Sequence, residues 1–227
     1  MPIADAIADS EGDGQIEVYD QISSAKATLF IETIAPPQEL IVFGAGPDVV
    51  PLVDIATTLG WRITIVAAPP ATHAAERLRR AHRIIVTGSE APTAGVEIPR
   101  DAAVVVMTHN IARDRAILAN LHTRPAYLGI LGPTHRTERI LDGLTFRIDD
   151  QSVYAPVGLD IGAQAPQEIA LSIIAEITAW RTGRSGGPLR ERDGPIHTAG
   201  RVPVQGVPVR RVPAGASLTR LIPSGAV

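Results

Sequence analysis

Between Glu39 and Arg181, short apolar runs alternate with helix-length segments, and this rhythm restricts the fold more than any other feature of the 227-residue chain. The runs are Leu40-Ile41-Val42-Phe43, Arg62-Ile63-Thr64-Ile65-Val66, Ile84-Ile85-Val86, Ala103-Val104-Val105-Val106-Met107 and Ala126-Tyr127-Leu128-Gly129-Ile130-Leu131. A strand with one wet face alternates apolar and polar residues, whereas a strand apolar throughout is covered on both faces. Such strands, separated by helical patterns, predict a doubly wound α/β fold with a mostly parallel sheet.

The last helix of this zone is marked at both ends. Pro166 suits a first helical position, where a missing N–H has no intrahelical partner to lose. Glu168 favours the positive end, and Gly183 lies just past the last turn. Ile169, Ile173, Ile177 and Trp180 fall on one stripe between them. The flanks read differently. Residues 1–38 form an N-terminal segment with a loop-like Ser10-Glu11-Gly12-Asp13-Gly14 and a strand at Thr28–Ile34, stopped by Pro36-Pro37. Residues 39–182 make the Rossmann-like domain. From 183 to 227 only Glu191 and Asp193 are acidic, and Val-Pro pairs recur at Val202-Pro203, Val207-Pro208 and Val212-Pro213. Prolines at that spacing remove ladder donors and break helices, so an extended, flexible tail is expected.

Composition narrows the function classes. An apolar fraction of 45% excludes wholesale disorder, and a net charge of −3 argues against nucleic acid held by phosphate neutralisation. The sequence contains no cysteine, which removes disulfides, thiolate nucleophiles and cysteine-type zinc sites. No stretch approaches the roughly 20 continuous apolar residues of a membrane helix. Met1-Pro2-Ile3-Ala4-Asp5 has no basic region followed by an apolar run, so a cytoplasmic location is expected.

Candidate site residues lie at strand ends. Gly44, Ala45, Gly46, Pro47 and Asp48 turn the first apolar run into a helix. Glycines there let backbone N–H groups approach a pyrophosphate at a helix N-terminus. Val49 stands where the third glycine of G-x-G-x-x-G belongs, so its side chain is expected to hold the helix away from the strand. Ala67 stands where an acid takes the ribose hydroxyls. A glycine turn serving only strand–helix packing has equal weight. Thr108, His109 and Asn110 end the Val104–Val106 strand. Gly132, Pro133, His135 and Arg136 end the next, Arg136 having the fork geometry for phosphate. Gly158 and Asp160 lie in a glycine-rich stretch before the final helix, where closing over the crevice and a local turn are both open. No Gly-x-Ser-x-Gly elbow, phosphate loop or metal-ligand spacing occurs, so the site reads as built for binding rather than bond-making.

In order, these motifs resemble the XdhC/CoxI family, accessory proteins of xanthine dehydrogenase and related molybdenum hydroxylases. The resemblance is carried by Leu40 to Asp48 with Pro51 and Leu52, Gly60-Trp61-Arg62, and Met107-Thr108-His109-Asn110 with Asp114. Tyr127 to Pro133, Arg136-Thr137-Glu138-Arg139 and Ala155 to Ala163 follow, then Pro166 to Ile173 and Gly194-Pro195-Ile196-His197. It spans roughly residues 29–197 and matches mainly the family's C-terminal Rossmann domain.

The resemblance implies binding of molybdenum cofactor (molybdopterin), its protection, and help in inserting it into a molybdenum hydroxylase such as xanthine dehydrogenase. It also implies an NAD(P) site at the Gly-Ala-Gly turn. The family's N-terminal motifs have no counterpart before Thr28, which leaves room for a separate accessory protein of that type as partner; a homodimer stays open. The family's Asp-x-Arg after the second strand is here Ala67-Ala68-Pro69. An NAD(P)-dependent oxidoreductase and a regulatory or interaction domain with a decayed ligand site stand as alternatives.

Overall fold

The computed structural model describes residues 14–19, 26–31 and 36–196, apart from 72–73, 123, 143, 145–151 and 195. These fall into two compact units, Pro36–Pro188 and one that holds residues 14–19 and 26–31 with the described residues between Leu189 and Ile196. In the second unit β1 (Gly14–Tyr19) pairs antiparallel with β2 (Lys26–Ile31), in register Gly14 to Ile31. The strand at Gly14–Tyr19 falls in a stretch that shows little periodicity in the sequence. Residues 32–34 of the expected strand, and the expected tail beyond Ile196 with His197, lie outside the described residues.

The larger unit is built on a six-stranded sheet. Its elements in chain order are β3 (Glu39–Phe43), α1 (Val49–Thr58), β4 (Arg62–Ala67), α2 (Ala74–Arg77), β5 (Arg83–Val86) and β6 (Ala103–Val106). They continue with α3 (Ile111–Ala119), β7 (Tyr127–Ile130), α4 (Thr134–Leu141), β8 (Val153–Tyr154) and α5 (Pro166–Arg181). The strand order is β5-β4-β3-β6-β7-β8, and every pairing is parallel. Counted within the sheet alone this is 3-2-1-4-5-6, the doubly wound Rossmann order.

Alternate residues of each strand explain why the runs are apolar throughout. Leu40, Val42, Ile63, Ile65, Ala103 and Val105 point to one face. There they meet Leu52 and Val53 of α1 and Ile173 and Ile177 of α5, two helices that also pack on each other. Ile41, Phe43, Val104, Val106, Leu128 and Ile130 point to the other, against Ile117 and Leu118 of α3 and Ile140 of α4. Truncating any of the large side chains among these to Ala forfeits about 2–5 kcal/mol.

The ends of α5 follow the sequence signals. Pro166 opens it, and Glu168 Oε2 accepts hydrogen bonds from the N–H groups of Gln164 (2.9 Å) and Ala165 (2.8 Å). At the other end Gly183 takes φ 63°, its N–H reaching the Trp180 carbonyl while Arg184 N–H reaches Ala179. That double closure satisfies carbonyls left over by the last turn. Two elements differ from expectation. The helix-length segment between the Arg62–Val66 and Ile84–Val86 runs is helical only at Ala74–Arg77 among the described residues. Residues 134–141, read as a strand-end loop at their start, form α4, which places His135 and Arg136 in a helical first turn.

Hydrogen bonds from Gln164 and Ala165 hold the Glu168 carboxyl below its usual value of 4.5. A depressed folded-state pKa contributes stability above the unfolded value, and the contribution is lost as pH falls through the folded one. Glu168→Gln is therefore expected to lower Tm near neutrality, with the gap closing in acid. Thermal melts of both proteins across pH check this, and a gap that persists or widens in acid contradicts it.

Candidate functional site

In this sheet β3 and β6 are neighbours whose chains leave in opposite directions, one to α1 and the other to α3. Their carboxyl ends part at that switch point and open a crevice, where ligands of open α/β sheets sit. Gly44 is at its base. Its φ is 146°, its N–H donates to the Val66 carbonyl at 3.0 Å, and a Cβ there would lie 2.6 Å from the Met107 carbonyl oxygen. No other residue type fits so close a crossing of two backbones. Gly46 lies outside the left-handed region, and a Cβ on it would meet only the Asp48 carboxylate. Among the described residues the N–H groups of Ala45 and Gly46 have no hydrogen-bond acceptor. Val49 is wholly buried in the core between α1 and the sheet.

The opposite lip is the turn from β6 into α3. His109 adopts φ 58° without being glycine, and its Nε2 lies 2.8 Å from Asp48 Oδ2, joining the two turns across the crevice. Asn110 caps α3, its side-chain oxygen accepting from Arg113 N–H at 3.0 Å. The Thr108 hydroxyl donates to Asp114 and accepts from Asn110 N–H at 3.2 Å. Asp114 is completely buried, and its second oxygen pairs with Arg136 Nη2 at 2.6 Å. Arg136 Nη1 also donates to the Leu131 carbonyl at 3.0 Å.

Between these lips lies a cleft of about 320 Å³. Gly44, Ala45 and Val66 line it together with Ala68, Pro70, Ala71 and Ala74; the polar lining is Thr108, Asn110, Arg77 and Arg113. Arg113 Nη2 donates to Thr87 Oγ1 at 2.9 Å and to the Thr87 carbonyl at 3.2 Å, fastening α3 to the end of β5. Burial lowers its pKa below the usual arginine value and the Asp114 charge opposes the shift; a guanidinium stays a cation in proteins. Exposed Arg77 donates to the Ala45 carbonyl at 3.3 Å.

Of the residues singled out in the sequence, Gly44, Ala45, Thr108 and Asn110 line the cleft, while Gly46, Pro47, Asp48 and His109 belong to the turns that border it. Gly132, Pro133, His135 and Arg136 lie at the start of α4 and are not among the lining residues; His135 is exposed there, and Arg136 is committed to Asp114. Gly158 and Asp160 also lie outside the lining. Gly158 N–H donates to Glu176 of α5 at 2.9 Å, and Asp160 faces solvent. Ala67, placed by sequence at the ribose position, is wholly buried; the residue at the cleft is its neighbour Ala68, one step further in register. Neither carries an acid. The two lining arginines were missed because no turn motif marks them; the signals were a basic helix after β4 and a cation beside Asp114.

Comparison with known proteins agrees with the fold. The chain matches the XdhC Rossmann domain family over residues 40–177. A Bacillus subtilis protein, named as one subunit of a probable xanthine dehydrogenase, is 38% identical over 169 residues, covering 72% of this chain and 48% of its own length. PaoD of Escherichia coli, a molybdenum cofactor insertion chaperone, is 32% identical over 94 residues, 39% of this chain and 30% of its own length. The crystal structure of a xanthine dehydrogenase from Bacillus halodurans aligns with a TM-score of 0.61 at 35% identity, over 72% of this chain and 50% of that one. The chain spans half or less of the length of these relatives.

Two stability measurements test the site's construction. Asp114→Ala leaves the Arg136 guanidinium, only 16% exposed, without its counter-charge. The expected loss is about 3–5 kcal/mol, read as a lower urea midpoint at unchanged slope. A midpoint within error of the parent protein contradicts it. Gly44→Ala is expected to cost more than Gly46→Ala by about 1–3 kcal/mol, since only Gly44 combines positive φ with a backbone oxygen in the way. Equal losses at the two positions remove that distinction.

Proposed function

The chain belongs to the XdhC family through its Rossmann domain, and on that premise we propose that it serves molybdenum hydroxylase maturation by holding a pterin or dinucleotide cofactor in the cleft and docking on the hydroxylase. The relatives support this in their own names, one an insertion chaperone for molybdenum cofactor and another part of a probable xanthine dehydrogenase. Ligand binding is assigned to residues 39–182, and the flanking segments 1–38 and 183–227 are left to attachment.

One observation carries the choice of binding over chemistry. Among the described residues, no Asp, Glu, His, Lys or Tyr lines the cleft. General acid–base catalysis needs a group whose pKa lies near the working pH within hydrogen-bond reach of the substrate. Thr108 and Asn110 are already engaged in the turn and the helix cap, and the arginines are permanent cations. An oxidoreductase in this cleft finds no protein proton donor in that lining, whereas a ligand-holding protein needs none. The free N–H groups of Ala45 and Gly46 and the two guanidinium groups suit an anionic cofactor.

The test uses the full chain with a cofactor-free hydroxylase of the xanthine dehydrogenase type and added molybdopterin. Faster or more complete activation of the hydroxylase, with a complex of the two proteins in sedimentation, is the expected result. No complex and unchanged activation would overturn the proposal, as would sustained NAD(P)H oxidation by the chain alone. Ligand binding is best followed by calorimetry. Trp61 precedes β4, and Trp180 packs on Tyr127 at the start of β7, so both tryptophans sit at the end of the sheet away from the cleft.

A further inference from the structure

The geometry points to a phosphomonoester subsite on the cleft wall formed by Ala68, Ala71 and Arg77, selecting ligands that carry a terminal phosphate dianion over those that present a free diol. The inference rests on the cleft being a cofactor site and names the chemistry that it selects. Dinucleotide-binding domains that take an unphosphorylated ribose place a carboxylate at the end of the second strand, where it accepts from the two hydroxyls. Here that strand is β4, and the residue at the cleft is Ala68. Its methyl group accepts no hydrogen bond and adds no negative charge.

Cations stand in place of the acid. Arg77 lies on the helix that follows β4, exposed and lining the same cleft, with one guanidinium nitrogen on the Ala45 carbonyl and its remaining donors unspent among the described residues. Arg113 adds a second positive charge from the opposite lip. The nearest acid in the bordering turns, Asp48, is held by His109. A diol entering this wall loses water without gaining an acceptor, whereas a phosphate meets a planar fork whose donors match two of its oxygens. The same chemistry is offered by a ribose 2′-phosphate and by the phosphate of a pterin cofactor.

Calorimetric titrations of the full chain with NADP⁺ against NAD⁺, and with a pterin phosphate against its dephosphorylated form, test this at fixed ionic strength. In at least one pair the phosphorylated ligand is expected to bind about 10- to 100-fold tighter, the range of a charged hydrogen bond to an ionised partner. Arg77→Gln is expected to abolish that margin, weakening the phosphorylated ligand more than the unphosphorylated one. Arg77 is on the surface, so circular dichroism should report an intact fold. The pair that discriminates identifies the source of the phosphate. Measurable binding without preference in either pair, or a preference that survives Arg77→Gln, overturns the subsite but leaves the cleft reading standing. No binding by any of the four ligands overturns both.

Discussion

A completely buried carboxylate, Asp114, holds together the half of the structure on which the cleft depends. Burying an ionised group costs several kcal/mol unless a partner and further hydrogen bonds repay it. Asp114 has both: Arg136 from α4 on one oxygen and the Thr108 hydroxyl from the β6 turn on the other. Arg136 extends the connection to the Leu131 carbonyl just beyond β7. Two stretches of chain, 108–114 and 131–136, are thereby fixed relative to one another. Such a network adds little net stability over an apolar core, but its directional bonds admit only one arrangement of the turn at 107–110. That turn carries His109 at positive φ and Asn110 at the helix cap, the two features that shape the cleft's outer lip.

The opposite lip is fixed by a contact of a different kind. Gly44 and Met107 bring the backbones of the β3 and β6 ends together at the switch point, and the missing side chain is what permits it. The Asp48–His109 pair then spans the crevice above that crossing. One lip is set by excluded volume and the other by directional hydrogen bonds and a buried ion pair.

Much of this was legible in the sequence, for a local reason. Apolar runs bounded by glycine and proline give the strands, and the two-residue period assigns Leu40 and Val42 to one face and Ile41 and Phe43 to the other without reference to any partner. Strand ends in such a fold give the crevice, hence Gly44, Thr108 and Asn110. Two-residue β8 has no run long enough to detect, and it exists because β7 offers an edge to pair with. Residue type alone made Arg136 a phosphate ligand; its commitment to Asp114 is a pairing across 22 positions that spacing does not reveal. The shift from Ala67 to Ala68 is of the same kind, since one step of register along a strand exchanges core for cleft.

What the cleft contains also limits what it can do with binding energy. Interactions accelerate a reaction only when they strengthen at the transition state, which requires groups that move protons or meet developing charge. The described lining offers permanent cations, engaged amide and hydroxyl groups, and small apolar residues. Arginines hold an anion equally before and after any change elsewhere in the ligand, so their contribution goes into retention. The lack of cysteine in this sequence bears on the same point. Sulfur cannot pass through a thiolate of these residues. Under the proposed reading, two cations set among small and already engaged side chains fit a ligand that is held and then handed on better than one that is transformed.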